Sequence, residues 1–309
     1  VVERCGCLRD GSSGTGTLGG MISVVTVSHK SYDLLSDYVE SFLTHHSGRD
    51  ALVQIEFVFI ENSGDERIAE HACRLREAGF ATRWELSENR GFGAGCNLGA
   101  ALASGELLVF ANPDMRFMSN ICGLKAVFGT SKWGTVAQTG EDGKIYAFDL
   151  LPEYRSVLTE LLRVYRFCHR LKALHRYVYP VGSFMVVPHA AFEATGGFDE
   201  RFFLYYEEAE LSRRLQGALG PPVLLPTIKI HHQAFGTQGS SDFTYEQEAM
   251  SMVTYGDVIG HPDLARRRLR MLQRLSFLST AAGERAAFLE RAIGIESKVP
   301  DREDSACSK

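Results

Sequence analysis

Apolar and polar positions first fall into a regular rhythm at Met21. Residues 21–29, MISVVTVSH, form a short β-branched run with strand character. SYDLLSDYVESFLTHH follows, with apolar residues at 34, 35, 38, 39, 42 and 43, the spacing of a helix that Ser31 or Asp33 could cap. QIEFVFIENSG (54–64) predicts a second strand closing on Glu61, Asn62, Ser63 and a turn glycine. RIAEHACRLREAG (67–79) predicts an amphipathic helix stopped by Gly79. ATRWELSEN (81–89) predicts a third strand, GAGCNLGAALASG (93–105) a helix of small residues, and ELLVFANPD (106–114) a fourth strand.

This alternation of strand and helix is the signature of an open, mostly parallel sheet flanked by helices. Ligands of such sheets bind at the carboxyl ends of the strands. Polar clusters fall at four of those ends: Thr26 and Ser28; Glu61, Asn62 and Ser63; Asn89 to Asn97; and Asn112 to Asp114.

The second half is less regular. Strands are expected around Thr135 and Ile145, with a turn at EDGK. Residues 155–177 have the spacing of one long helix, with Leu158, Leu161, Leu162, Tyr165 and Cys168 on one side and Arg163, Arg166 and Arg170 on another. VGSFMVVPHAAF (181–192) reads as a buried strand and a helix start, and PPVLLPTIKIHH as a strand ending in His231 and His232. A basic helical segment begins near 262, and the chain reads as disordered from about 297. Residues 1–20, rich in Gly and Ser, read as a disordered tail or an expression remnant, with Met21 a candidate start.

A chain of 309 residues can bury a large α/β core, and a net charge of −5 gives no support for nucleic-acid binding. Seven scattered cysteines, including Cys5 and Cys7 in the leading tail, show neither zinc spacing nor an even disulfide count, so a cytoplasmic setting is the simplest. No apolar run reaches the ~18 residues of a membrane span.

Candidate chemistry gathers at the strand ends. Asn112-Pro113-Asp114 is either an ordinary turn or a carboxylate placed to hold a hard divalent cation against a phosphate. NRGFGAGCNLGA fails the dinucleotide-binding register, because Cys96 or Leu98 stands where the last glycine belongs. It reads as a small-residue helix packed on the sheet, or as a loop admitting a ligand beside Asn89. FDERFFLYYEEAELSRRL supplies Asp199, Glu200, Glu207, Glu208 and Glu210. Glu207 and Glu208 could cap a helix, with Glu210 and Arg214 as an i,i+4 pair, or serve as bases whose pKa the aromatic surroundings raise. His231 and His232 are surface residues or metal ligands, and strand alternation lets at most one of them face a shared site. The arginine-bearing helices at 155–177 and 265–275 present either solvated faces or contacts with an anionic membrane surface or a polyprenyl-diphosphate acceptor.

ISVVTVSHK, FVFIENSG, ENRGFGAGCNLGA, LLVFANPDMRF, VGSFMVVPHAAFEATGGFDERFFLYYEEAELSRRL and IKIHH occur in the order found in inverting glycosyltransferases of family 2. Over residues 21–240 the chain most resembles the rhamnosyltransferase-like bacterial branch. The resemblance implies a GT-A fold, Rossmann-like, with a nucleotide-sugar-binding half at 21–120, an acceptor-binding and catalytic half at 121–261, and a C-terminal acceptor-side helical extension at 262–309. It implies a nucleotide-diphosphate sugar donor, with dTDP-rhamnose the branch-level choice, and a saccharide or polyprenyl-linked saccharide acceptor in cell-surface polysaccharide synthesis. A divalent Mg²⁺ or Mn²⁺ is implied on Asp114, with His231, or alternatively His232, as the histidine ligand.

The same resemblance places Thr26, Ser28, Glu61, Asn62, Asn89, Gly91, Phe92, Gly93, Asn97, Asn112 and Asp114 on the donor, and Asp199, Glu200 and Tyr206 on the acceptor. Glu208, after Glu207, matches the catalytic base, and both Glu61 and Glu208 stand where aspartate is usual. The expected location is cytoplasmic, with a peripheral position at the inner face of the membrane as the alternative. Two rival readings are a catalytically silent sugar-nucleotide-binding protein and a nucleotidyltransferase, although VSHKSYD lacks the Gly-rich basic loop of the latter.

Overall fold

The computed structural model of the chain describes residues 21–46, 48–233 and 241–296. The expected disordered ends at 1–20 and from 297, with Cys5, Cys7 and Cys307, lie outside the described residues. The first half follows its periodicity closely: β1 (Ile22–Ser28), α1 (Tyr32–His45), a short α2 (Arg49–Gln54), β2 (Ile55–Glu61), α3 (Ile68–Glu77), β3 (Ala81–Leu86), α4 (Phe92–Leu102) and β4 (Leu107–Ala111). The second half adds β5 (Met115–Phe117), α5 (Leu124–Phe128), β6 (Gly134–Thr139), β7 (Phe148–Leu150), α6 (Val157–Leu161), β8 (Val178–Pro180), β9 (Phe184–Pro188), α7 (His189–Ala194), α8 (Glu207–Leu219) and β10 (Val223–His232). Three helices close the described chain: α9 (Ser241–Val258), α10 (Leu264–Leu275) and α11 (Thr280–Glu296).

Eight strands form one sheet in the order β3-β2-β1-β4-β9-β6-β10-β5. The first four are parallel; β9 runs against β4 and β6, and β10 lies parallel to β6. Strands β1, β2, β4, β6 and β10 therefore all end at the same edge. His231 and His232 close β10 beside β5, which leaves the turn after β4.

Alternation along the strands divides the core. Ile22 and Val24 of β1, Phe57 and Phe59 of β2, and Val109 of β4 face α1 and α3, where Tyr38, Phe42 and Leu75 meet them. Val25, Val27, Val58, Ile60 and Phe110 face the opposite layer, with Cys96 of α4 and Leu211 and Leu215 of α8. A separate core joins α9, α10 and α11 to the segment before α8, through Met252, Tyr255, Leu264 and Leu272 against Phe202, Tyr206 and Ala209.

Two expectations for the second half need correction. Residues 155–177 are not one helix: α6 stops after Leu161, Arg163 turns left-handed at φ 49°, and separate 3₁₀ turns occupy Val164–Arg166, Cys168–Arg170 and Lys172–Tyr177. Leu158, Leu161 and Leu162 are exposed, so no packing partner propagates the helix, while Cys168 and His175 are drawn inward against β7 and β8. The strand expected around Ile145 is a single bridge to Thr139. The sequence pattern also passed over α9, whose apolar residues follow no single face.

Helix α4 lies unusually close to the sheet, which explains its small residues. A Cβ on Gly99 would sit 2.3 Å from Val25 Cγ1 and 3.4 Å from Ile60 Cγ1. Gly99→Val should therefore push α4 off the sheet, costing about 2–3 kcal/mol of stability. Thermal unfolding measures this, and an unchanged midpoint would contradict the close packing.

Candidate active site

The carboxyl edge of the sheet opens into a cavity of about 440 Å³. Of the residues expected on a donor, Asn62, Asn89, Gly91, Phe92 and Asn112 line it. His29 and Lys30, directly after β1, line it too, as do Phe203, Leu204 and Phe243. The position of His29 and Lys30 at a strand end was a sequence signal for them; Phe243, in the unforeseen α9, had none.

The other expected donor residues sit around the cavity rather than on its wall. Thr26 is fully buried, its hydroxyl 2.9 Å from that of Tyr38, and Ser28 Oγ is buried without a partner. The Glu61 carboxylate folds back on its own turn and accepts the Ser63 N–H at 2.6 Å and the Ser63 hydroxyl. Asn97 works as a clamp: its Oδ1 accepts the Phe198 N–H at 2.8 Å, and its Nδ2 donates to the Phe198 carbonyl at 2.9 Å and to Glu200 at 3.0 Å. Gly93 packs against Phe198.

The loop before α4 is pinned to the segment before α8. Gly91 has φ +107°, and a Cβ there would lie 2.5 Å from the Phe203 carbonyl oxygen, which accepts the Phe92 N–H at 2.9 Å. Asn89 Oδ1 accepts the Gly91 N–H at 3.2 Å, holding the turn. Asp199 and Glu200 are engaged by Arg201 and Arg90, each at 2.6 Å, and the Tyr206 hydroxyl donates to Glu248 at 3.2 Å. These three expected acceptor residues thus hold loops and helices together.

Tyr205 and Tyr206 both adopt left-handed backbone, φ 74° and 66°, at a cost of roughly 1–2 kcal/mol each. That double turn starts α8 abruptly and delivers Glu207 and Glu208 to its first turn. The two carboxylates face different surroundings. Glu207 is buried near Gly93, while Glu208 Oε1 lies 3.2 Å from where a Gly182 Cβ would stand. Ser183, the next residue, accepts the Asn112 N–H through its carbonyl at 3.0 Å. Glu208 is therefore brought beside the turn that carries Asn112 and Asp114.

Burial pushes both carboxyls up. Glu207 is held well above the ordinary range by desolvation and then by the charge of Glu208. Desolvation raises Glu208 to about 7, with Asp149 adding to the rise and a backbone amide of the helix start opposing it. One oxygen of each, Oε2, is buried without a hydrogen-bond partner.

Asp114 is buried, with Oδ2 3.3 Å from His232 Nε2 and Oδ1 without a partner. His231 points the other way, with Nε2 3.1 Å from Glu141. Strand alternation thus turns His232, the second choice of the sequence reading, toward Asp114. Among the described residues no three His, Cys, Asp or Glu side chains converge as a metal site. Asp114 supplies one hard oxygen that fits Mg²⁺ or Mn²⁺ when substrate phosphates and water complete the shell, and the His232 imidazole beside it suits Mn²⁺ better than Mg²⁺.

No family model matches the chain. A segment of 57 residues is 42% identical to N-acetylglucosaminyl-diphospho-decaprenol L-rhamnosyltransferase of Mycobacterium tuberculosis, covering 18% of this chain and 19% of that relative. In three dimensions the chain is similar to a mannosyltransferase of Pyrobaculum calidifontis, solved in complex with GDP-Man and Mn²⁺. The TM-score is 0.57 at 13% identity, over 90% of this chain and 76% of that one. It is also similar to TarS of S. aureus, with a TM-score of 0.52 at 13% identity, over 83% of this chain but 43% of that one. The fold is the GT-A fold of glycosyltransferases, a large sheet flanked by helices.

The raised Glu208 carboxyl has a consequence for stability. The folded protein holds this proton more tightly than the unfolded chain, whose ordinary value is 4.5. The group's favourable contribution is present below about 4.5 and is lost as pH rises through about 7. Glu208→Gln should therefore be more stable than the native protein by about 1–3 kcal/mol at alkaline pH, with the gap closing on acidification. Denaturant unfolding across the pH range tests this; a gap independent of pH would place Glu208 in water.

Proposed function

We propose that this protein is an inverting glycosyltransferase that moves a sugar from a nucleotide-diphosphate donor to a hydroxyl of a saccharide acceptor. The observation that carries this reading is the contact chain from Glu208 through Gly182 and Ser183 to Asn112, which sets a carboxylate of raised pKa beside the cavity wall. A cavity of about 440 Å³ at the ends of parallel strands suits a nucleotide sugar. The mannosyltransferase of similar fold was solved with GDP-Man and Mn²⁺, and the Mycobacterium relative is named for a decaprenol-linked acceptor. A lipid-linked saccharide is accordingly the acceptor class we assign, with a rhamnosyl nucleotide as the donor.

In this reading Asn62, Asn89 and Asn112 hydrogen-bond the donor in the cavity, and Lys30 offers a cation to its phosphates. Glu208 takes the proton from the acceptor hydroxyl as that oxygen forms its bond to the anomeric carbon. The bond from that carbon to the diphosphate oxygen breaks, and the electron pair leaves with the diphosphate. Asp114 and His232 would hold a divalent ion whose charge favours this leaving group. A single displacement inverts the anomeric centre. Glu207, buried toward α4, supports the helix start and does not touch the acceptor.

Glu208→Gln should lower kcat by about 10²–10⁴-fold while the donor Kd stays within about twofold. Transfer by the native protein should rise with pH through about 7, as Glu208 loses its proton. Near-native turnover in Glu208→Gln would remove the base role. Asp114→Ala should abolish the Mn²⁺-dependent part of the thermal stabilisation by nucleotide sugars; an unchanged metal titration would reassign the ion. Donor binding with neither transfer nor donor hydrolysis would make the protein a sugar-nucleotide binder.

A further inference from the structure

The segment between β7 and β8 is built with its apolar side chains outward. Leu158, Leu161, Leu162 and Leu171 are 64%, 54%, 57% and 52% exposed, and Phe167 is 42% exposed. Single inward residues fix each turn from below. Cys168 is buried against Phe148, and His175 is held by the Pro222 carbonyl at 3.1 Å. The outward leucines are thus a property of a pinned segment, and several large exposed apolar side chains grouped within one segment mark an interaction surface.

Charge identifies what the surface fits. Residues 155–177 hold five arginines and one lysine against one acidic residue, Glu160. Glu160 is already paired with Arg155 at 3.3 Å and with Arg268 at 3.5 Å. Arg163, Arg170, Lys172 and Arg176 are exposed among the leucines. Helix α10, tied here by Arg268, adds exposed Arg266, Arg270 and Arg274 and is followed by a turn with Phe277 and Leu278, 91% and 72% exposed. Among the described residues no helix is long and apolar enough to cross a membrane.

We propose that this segment docks the protein on the surface of an anionic lipid bilayer, with the leucines entering the interface and the arginines meeting the headgroups. The geometry differs from that of an amphipathic helix lying flat: short pinned turns present apolar tips between cations. Docking is independent of sugar transfer, so its test stands apart from that of the proposed reaction.

The test is flotation of the full chain with phosphatidylcholine vesicles, with and without phosphatidylglycerol. The native protein should float with the anionic vesicles at least about tenfold better than with the neutral ones, and less as salt rises. The triple change Leu158→Ser, Leu161→Ser, Leu162→Ser should lose about tenfold of that partition with a nearly unchanged melting temperature, because each of these side chains is more than half exposed. Arg163→Glu with Arg170→Glu should lose the preference for anionic lipid. Native protein that does not float, or a triple variant that floats equally well, overturns the proposal. A native dimer that the triple change makes monomeric, without flotation, would assign the face to a second copy instead.

Discussion

One side-chain amide joins the two halves of the molecule. Asn97, in α4, grips both the N–H and the carbonyl of Phe198, a hundred residues away in sequence, and braces Glu200 as well. Helix α4 is itself held against the sheet by glycine contacts with Val25 and Val27, so the grip transmits the position of the sheet to the segment before α8. The Gly91–Phe203 contact closes the same seam from the loop side. Without both attachments the double left-handed turn at Tyr205 and Tyr206 would relax, and Glu207 and Glu208 would lose their position at the strand ends. The carboxylates are placed by the seam, and the seam by the absence of Cβ atoms on α4.

The electrostatics of this edge oppose stability. Ser28, Asn62, Asn112, Asp114, Glu207 and Glu208 each bury a polar atom without a hydrogen-bond partner, at roughly 1–3 kcal/mol apiece. Adjacent buried carboxylates add mutual repulsion. The aromatic cluster between the sheet and α1, with Tyr38, Phe42, Phe57, Phe59 and Phe117 in edge-to-face contact, offsets this through buried area and ring–ring contacts. The unsatisfied groups gather at the carboxyl edge of the sheet, where a polar ligand would meet them, and the apolar packing lies further back along the strands.

The first half of the fold was legible because period and burial agree there. Strands β1, β2 and β4 are buried along their whole length and read as short runs dominated by β-branched, leucine and phenylalanine residues, and α1 and α3 repeat every three or four residues. The same periodicity misled at 155–177, where leucines at helical spacing face solvent and pattern alone cannot tell an inner stripe from an outer one. Strand alternation correctly limited the histidines to one beside Asp114 but could not choose between them, since the register of β10 is set by a bulge between Leu225 and Lys229. Asn97 was readable as important and not as a clamp, because its partners at Phe198 and Glu200 come from tertiary pairing. Asp149 fell in no quoted motif, and Gly182 was read only as part of the strand segment 181–192, yet both border the space of Glu208.

The C-terminal helices belong to the chemistry through α8. Glu153 ties that helix to α9 by accepting from Arg213 and, at 2.8 Å, from the Tyr255 hydroxyl, while Tyr206 at the head of α8 is packed into the same core. Glu160 links Arg155, which also pairs with Asp149, to Arg268 of α10. Asp149 in turn helps to raise the Glu208 carboxyl. A set of ion pairs thus runs from Arg268 through Glu160 and Arg155 to Asp149, whose charge is felt at the Glu208 carboxyl. The segment between β7 and β8 keeps a defined shape through these ion pairs and through Cys168, Val164 and Leu174, which pack with Phe148, Leu150 and Val178 beneath the outward leucines.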